Sequence, residues 1–270
     1  MKSFLLSAIE ASWKAGDEIL RVYQSDFDVE SKKDNSPLTL ADKKSHDIIF
    51  KILSETQIPI LSEEGKEISY NERQRWPRLW IVDPLDGTKE FVKRNGEFTV
   101  NIALVENGIP ILGVIYVPVK KDLYFGQKNI GAFKAAALDH FQFSDLEQLL
   151  IKSKKLPEKL TRDKFTVVAS RSHQTETTMN FIDGLKKKYG EVETVSAGSS
   201  LKICLVAEGV ADIYPRFGPT MEWDTAAGQA ILESAGGKLI DAQTNLPMRY
   251  NRESLKNNSF IAVLSSVNLG

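Results

Sequence analysis

The run Leu79-Trp80-Ile81-Val82-Asp83-Pro84-Leu85-Asp86-Gly87-Thr88-Lys89-Glu90-Phe91 constrains this chain more than any other stretch. Leu79 to Val82 reads as a buried strand that breaks off into Asp83, Pro84 and Asp86 ahead of Gly87. Pro84 fixes its own φ and holds Asp83 extended, while Gly87 permits a tight turn or the close approach of a ligand. Carboxylates held together on a rigid turn repel each other unless a cation relieves them, and Mg²⁺ favours oxygen ligands of this kind together with phosphate. Asp-Pro and Asp-Gly are also ordinary turn dipeptides. Here the two interlock directly after a buried strand and are followed by the hydroxyl of Thr88, which favours a site over a plain turn.

A second strand end repeats the pattern. Ile58 to Leu61 reads as a short strand that ends in Ser62-Glu63-Glu64-Gly65. Glutamates before a glycine read alone as solvated loop residues. Two strand ends that each present acids suggest one shared metal site.

Composition excludes several classes. With 270 residues and 42% hydrophobic content, the chain can bury a full core as one large domain or two smaller ones. A net charge of -1 argues against a nucleic-acid polymer as partner, since that calls for a broad basic surface. The single cysteine, Cys204, rules out an internal disulfide and a cysteine-rich zinc site, fits a reducing compartment, and reads as a helix core residue. Met1 to Leu6 is too short for a signal h-region and no apolar run approaches the ~20 residues of a membrane span. The expected compartment is the cytoplasm.

Apolar spacing predicts a helix over residues 3–24 and a polar loop or hairpin from Asp28 to Asn35. A second helix, N-capped by Thr39, is predicted to run to about Glu55. Asp42 in its first turn is either a helix-start acid or a functional one; His46 reads as a surface residue. Phe98–Val105, Ile109–Val117 and Leu123–Phe125 predict an antiparallel meander with a further strand at Gly131–Phe133. A domain boundary is expected between Ala135 and Lys164, with a short helix at Leu146–Ile151. The expected halves are 1–135 and 136–270.

Downstream, the strand Thr166–Ser170 leads through Arg171-Ser172-His173 into a helix over Thr175–Tyr189, an order that places ligand contacts at strand ends. His173 is either structural or such a contact. The strand Val192–Val195 leads through Ser196-Ala197-Gly198-Ser199-Ser200 into a helix over Leu201–Ala207, with Lys202 in its first turn. Those small residues form either an ordinary cap or an anion-binding helix start. Ala211–Tyr214 reads as a strand with Arg216 just beyond it. Glu222-Trp223-Asp224-Thr225-Ala226-Ala227-Gly228 opens a helix to about Ala235, with Asp224 as a possible N-cap and small residues that allow close packing. Lys238–Ile240 and Phe260–Leu264 read as closing strands. There is no P-loop and no dinucleotide glycine fingerprint.

Asp83-Pro84-Leu85-Asp86-Gly87-Thr88 together with Trp223-Asp224-Thr225-Ala226-Ala227-Gly228, with Glu63-Glu64 upstream, resembles the inositol monophosphatase superfamily of metal-dependent, lithium-sensitive phosphatases. Gly87-Thr88-Lys89-Glu90-Phe91, Ser170-Arg171-Ser172-His173 and Gly198-Ser199-Ser200-Leu201-Lys202 look most like its 3'(2'),5'-bisphosphate nucleotidases. The resemblance implies a layered αβαβα fold of mixed α/β (α+β) type, with the site between two halves. It implies hydrolysis of the 3'-phosphate of adenosine 3',5'-bisphosphate to AMP, with a role in sulfate assimilation and nucleotide recycling. It also implies two or three Mg²⁺ ions, with Glu64, Asp83 and the Leu85 carbonyl on one, and Asp83, Asp86 and Asp224 on a second. Asp42, Thr88 and Glu64 would prepare the attacking water, and Gly87 and Thr88 would bind the phosphate. His173, Ser199, Lys202 and Arg216 would surround the nucleotide and its second phosphate. The alternatives are an inositol or sugar phosphatase of the same superfamily and, in another class, a non-catalytic nucleotide sensor. Either a monomer or a homodimer fits, as does a peripheral position at the inner face of the cell membrane.

Overall fold

A computed structural model describes residues 2–25, 37–138, 145–158, 163–169, 175–265 and 267. The expected loop Asp28–Asn35 and the segment Ser170–His173 lie outside them. Helices α1 (Lys2–Tyr23) and α2 (Pro37–Ser54) are followed by β1 (Ile60–Ser62), α3 (Tyr70–Arg73), β2 (Arg78–Asp86) and α4 (Thr88–Val92). The meander β3 (Thr99–Glu106), β4 (Ile109–Val117), β5 (Asp122–Gln127) and β6 (Gly131–Ala135) follows, then α5 (Leu146–Ile151) and β7 (Lys154–Leu156). The remainder is β8 (Phe165–Val168), α6 (Glu176–Tyr189), β9 (Val192–Val195), α7 (Leu201–Ala207), β10 (Ile213–Arg216), α8 (Glu222–Ser234), β11 (Gly237–Asp241) and β12 (Phe260–Leu264). None of the described helices is long and apolar enough to cross a membrane.

Two sheets form. The first has seven strands in sequence order, β1 to β7, and the second has the order β11-β12-β10-β8-β9. Residues two apart on a strand share a face, and both faces of the first sheet are covered, so β2 is apolar at successive positions rather than at alternate ones. Trp80 and Val82 face Leu5, Ile9, Ile49 and Leu53 of α1 and α2. Leu79 and Ile81 face Ala226, Ala227 and Ile231 of α8 and Leu201 and Ile203 of α7. The far side of α7 and α8 meets the second sheet at Tyr214, Leu239, Phe260 and Ala262. Val167, Ile213 and Val263 on the outer face of that sheet bury against Leu185, Phe181 and Ile182 of α6. The layers are therefore αβαβα, as the resemblance implies. β7, from beyond residue 136, adds the last strand of the first sheet on the edge of β6.

Glycines let α8 lie close on the first sheet. A Cβ on Gly113 would fall 2.2 Å from the Ala227 carbonyl oxygen, and one on Gly126 would fall 2.8 Å from the Ile231 Cα. The small residues after Asp224 meet equally small residues opposite. Gly113→Ala is expected to cost about 1–3 kcal/mol, the range for overpacking a tight core, and urea unfolding would show it as a lower midpoint.

The predicted ends of two elements shift. α2 begins at Pro37, so Thr39 is not its N-cap but lies inside the first turn. Proline suits the first helical position because the N–H it lacks would have no partner there. β10 starts at Ile213 and Arg216 is its last residue rather than a residue beyond it. Cys204 is a core residue of α7, 1% exposed, and burial raises its pKa.

Candidate active site

β2 does not stop at Asp83. It continues to Asp86 through a bulge: Asp83 pairs with Asn101 and Asp86 with Thr99, so three steps on β2 oppose two on β3. In a regular strand residues 83 and 86 would point to opposite faces. The extra residue cancels that inversion and brings both carboxylates into one cleft. Pro84 sits inside the bulge, where its missing N–H breaks no ladder bond. Its carbonyl accepts a 2.7 Å bond from the Ser45 hydroxyl, which ties the bulge to α2. Asp83, 1% exposed, closes the turn by accepting the Leu85 N–H at 3.1 Å.

Three further elements bring acids to this point. β1 runs parallel to β2 with Ser62 opposite Val82, and the Glu63 N–H continues the pairing to the Val82 carbonyl at 3.2 Å. Glu63 therefore emerges beside Asp83. α8 contributes Asp224, which is not the N-cap. The cap is Met221, and Asp224, three residues on, accepts the Met221 N–H at 2.7 Å. One carboxylate oxygen each from Asp83, Asp86 and Asp224 lies within 4.8 Å of the others. α2 contributes Asp42, 8% exposed.

Resemblance and geometry differ over the paired glutamates. Glu63 is the one that stands against Asp83 and Asp86, where the resemblance implies Glu64. Glu63 is exposed at the cleft mouth and lines the acidic cavity. Glu64 lies on the same cavity and acts on Asp42. Backbone pairing explains the choice, because the residue that follows the last β1–β2 register pair is Glu63. The Trp223 indole N–H, next to Asp224, approaches Glu63 without closing a full hydrogen bond and has no other partner.

The electrostatics suit a bound cation. Burial, then Asp86, Glu63, Asp224 and Asp42 in that order, hold the Asp83 pKa well above its ordinary value. Burial and then Asp86 push Asp224 up to about 7. Asp42 is pushed up to about 8 by burial first, then by Glu64 and Glu63. A set of hard oxygen donors whose charges raise one another's pKa fits a divalent ion such as Mg²⁺. Glu63, Asp83, Asp86 and Asp224 would hold it, and Leu85 lines the same cavity.

This acidic cavity, about 170 Å³, adjoins a second of about 160 Å³, and the two share Asp86, Gly87 and Asp224. The second cavity adds the cations Lys89, Lys202 and Arg216 to the acids Asp86, Glu90 and Asp224. Lys202, in the first turn of α7, and Arg216, at the end of β10, line it together with Ser199 and Tyr214. Burial lowers the Lys202 pKa and Arg216 lowers it further, against the pull of Asp86, Glu90 and Glu97. Lys202 Nζ donates to the Ala197 carbonyl at 3.3 Å and stands over the Tyr214 ring, while the Arg216 guanidinium donates to the Pro219 carbonyl at 3.2 Å and keeps its buried Nε without a partner. Two cations that repel each other across one cavity are suited to an anion. Ser199, at φ 38°, donates its hydroxyl to the Glu97 carbonyl at 2.7 Å. Thr88 opens α4 on the rim of the acidic cavity. His173 lies outside the described residues. Asn101, which sequence reading passed over, and Ser200, read as part of a small-residue helix start, both bond to Asp86, at 3.3 and 2.5 Å. An asparagine within the apolar run Phe98–Val105 was the available signal for the first of them.

Known proteins share this sequence pattern and fold. The model of the inositol monophosphatase family matches residues 1–267. The 3'(2'),5'-bisphosphate nucleotidase CysQ of Escherichia coli (strain K12) is 45% identical over 251 residues, which is 91% of this chain and 94% of that protein. The crystal structure of CysQ from Bacteroides thetaiotaomicron, a bacterial member of the inositol monophosphatase family, has 55% identity and a TM-score of 0.93 over 98% of each chain. Inositol monophosphatase-II from Staphylococcus aureus MSSA476 shares the fold at 21% identity, with a TM-score of 0.75 over 98% of this chain and 90% of that one. The chain belongs to the inositol monophosphatase family.

Proposed function

We propose that this protein is a Mg²⁺-dependent 3'(2'),5'-bisphosphate nucleotidase that removes the 3'-phosphate of adenosine 3',5'-bisphosphate. It is an enzyme of the phosphoric monoester hydrolase class. The observation that carries the reading is one cleft with two chemistries side by side: carboxylates at Glu63, Asp83, Asp86 and Asp224, and the cations Lys202 and Arg216. A substrate with two phosphates matches both, one phosphate for each half. The names of the relatives support the same substrate class.

When bound, divalent ions lower the pKa of a water and neutralise charge on the transferring phosphoryl group. The chain's own residues do the rest. Glu63, Asp83, Asp86 and Asp224 fix the ion positions, with Glu63 in the role that the resemblance gives to Glu64. Asp42 and Thr88 line the same cavity, where the Asp42 carboxylate orients the attacking water and takes its proton. Lys202 and Arg216 hold the second phosphate, so that the ester bond to be broken lies over the acidic half. No side-chain nucleophile is needed, and the buried Cys204 does not serve as one.

The test is phosphate release from adenosine 3',5'-bisphosphate against inositol 1-phosphate, each with Mg²⁺. A markedly faster bisphosphate reaction is expected. A faster inositol ester would make this an inositol phosphatase of the same family, and bound nucleotide that persists intact with Mg²⁺ would make it a sensor.

A further inference from the structure

The two halves of the cleft come from elements far apart in the chain, and one hydroxyl joins them. Ser200, 3% exposed, is the residue from which α7 starts, and Lys202 follows two positions later. Its Oγ lies 2.5 Å from Asp86 Oδ2, 2.6 Å from Asn101 Nδ2 and 3.2 Å from the Asp224 carbonyl. Asn101, 1% exposed, also reaches Asp86 Oδ2 at 3.3 Å. The amide of Asn101 is oriented in turn by Thr99, whose hydroxyl donates to Asn101 Oδ1 at 2.9 Å. The donors run in one direction, from Thr99 to Asn101 to Ser200 to Asp86. With Asn101 Nδ2 donating to it, the single Ser200 proton is free to point at the carboxylate.

We propose that Asn101 and Ser200 are positioning residues that hold Asp86 Oδ2 through paired hydrogen bonds, leaving Oδ1 for the metal ion and locking the start of α7 to the ion site. The inference rests on the proposed metal-dependent reading of the cleft. Both act through Asp86, and Ser200 also lines the cavity assigned to the second phosphate. A carboxylate on a short side chain rotates about two bonds, and each rotamer it can reach without an ion weakens ion binding. Donors placed outside the ligand sphere remove that freedom, and their loss commonly costs a metal site about 10–100-fold in affinity. Because Ser200 also anchors the turn that carries Ser199 and Lys202, ion binding and anion binding are coupled. A bound ion fixes Asp86, Asp86 fixes Ser200, and Ser200 fixes the first turn of α7.

The test is Mg²⁺ titration by calorimetry on the wild type, Ser200→Ala and Asn101→Leu, with KM, kcat and the Mg²⁺ concentration for half-maximal phosphate release measured alongside. Ser200→Ala is expected to weaken Mg²⁺ binding by about 10-fold. The half-maximal Mg²⁺ concentration should rise to match, KM should rise too, and kcat should largely recover at saturating Mg²⁺. Asn101→Leu, close to the same shape but without the donor, should shift the same quantities. The double variant should lose less than the product of the two single losses, since both act on one carboxylate oxygen. Wild-type Mg²⁺ affinity in both variants, with only kcat or the melting temperature lowered, would overturn the proposal and leave the functional reading standing. A wild type that binds no Mg²⁺ at all would overturn both. If Ser200→Ala does not fold, the Mg²⁺ affinity of Asn101→Leu decides alone.

Discussion

Asp83→Asn is expected to leave a folded protein whose phosphate release falls by more than about 100-fold, because losing a ligand exceeds the usual cost of losing the partner of a ligand. The fold should survive for a local reason. Asp83 Oδ1 accepts the Leu85 N–H that closes the turn, and asparagine presents the same oxygen. The site should fail for an electrostatic reason. Asp83 faces Asp86, Glu63, Asp224 and Asp42 from four different elements, and no other side chain stands at the centre of that group. Replacing the central carboxylate by an amide removes one charge that the metal-free protein has to bury against its neighbours. The metal-free variant should therefore melt higher than the metal-free wild type, while added Mg²⁺ should raise its melting temperature much less. Circular dichroism melts with and without Mg²⁺, alongside the phosphate assay, check both halves. A folded variant with wild-type turnover would remove Asp83 from the mechanism.

The layers and both acidic motifs were legible because they depend on local pattern. Apolar periodicity marked the long helices and the meander, and the conjunction of Asp83, Asp86 and Asp224 with small residues in α8 marked the cleft. Adjacent residues were not legible. Glu63 and Glu64 have the same chemistry, and which one stands against Asp83 and Asp86 is set by the parallel register of β1 on β2, a pairing that brings together residues 20 apart. The bulge at Asp83–Asp86 was hidden for the same reason, since it exists only relative to β3. Without it the two acids would have pointed to opposite faces, although the sequence suggested simply that both stood at a strand end. Ser200 looked like part of a small-residue cap. Its role comes from a contact 114 residues away.

Mg²⁺ is expected to stabilise the protein strongly at pH 8.5 and weakly at pH 5.5. Asp42, pushed up to about 8, and Asp224, pushed up to about 7, have folded-state pKa values above those they would have unfolded, chiefly through burial. Glu63, Asp83 and Asp86 are shifted in the same direction. A carboxyl with a raised folded pKa favours the fold while it is protonated. That stability is present in full below the ordinary carboxylate range and is lost as pH rises through about 7 and 8. The metal-free protein should accordingly melt higher at pH 5.5 than at pH 8.5. The ion reverses the order, because it binds the ionised carboxylates and competes with protons for them. At a concentration a hundredfold above its dissociation constant, a ligand adds about 2.7 kcal/mol to the folded state. For a chain of this size that is roughly 5–10 °C in melting temperature. Melts in Mg²⁺ and in chelator at the two pH values measure it directly. An equal shift at both would mean that the ion binds away from these carboxylates, since only a site whose ligands carry protons at the lower pH can lose affinity between them.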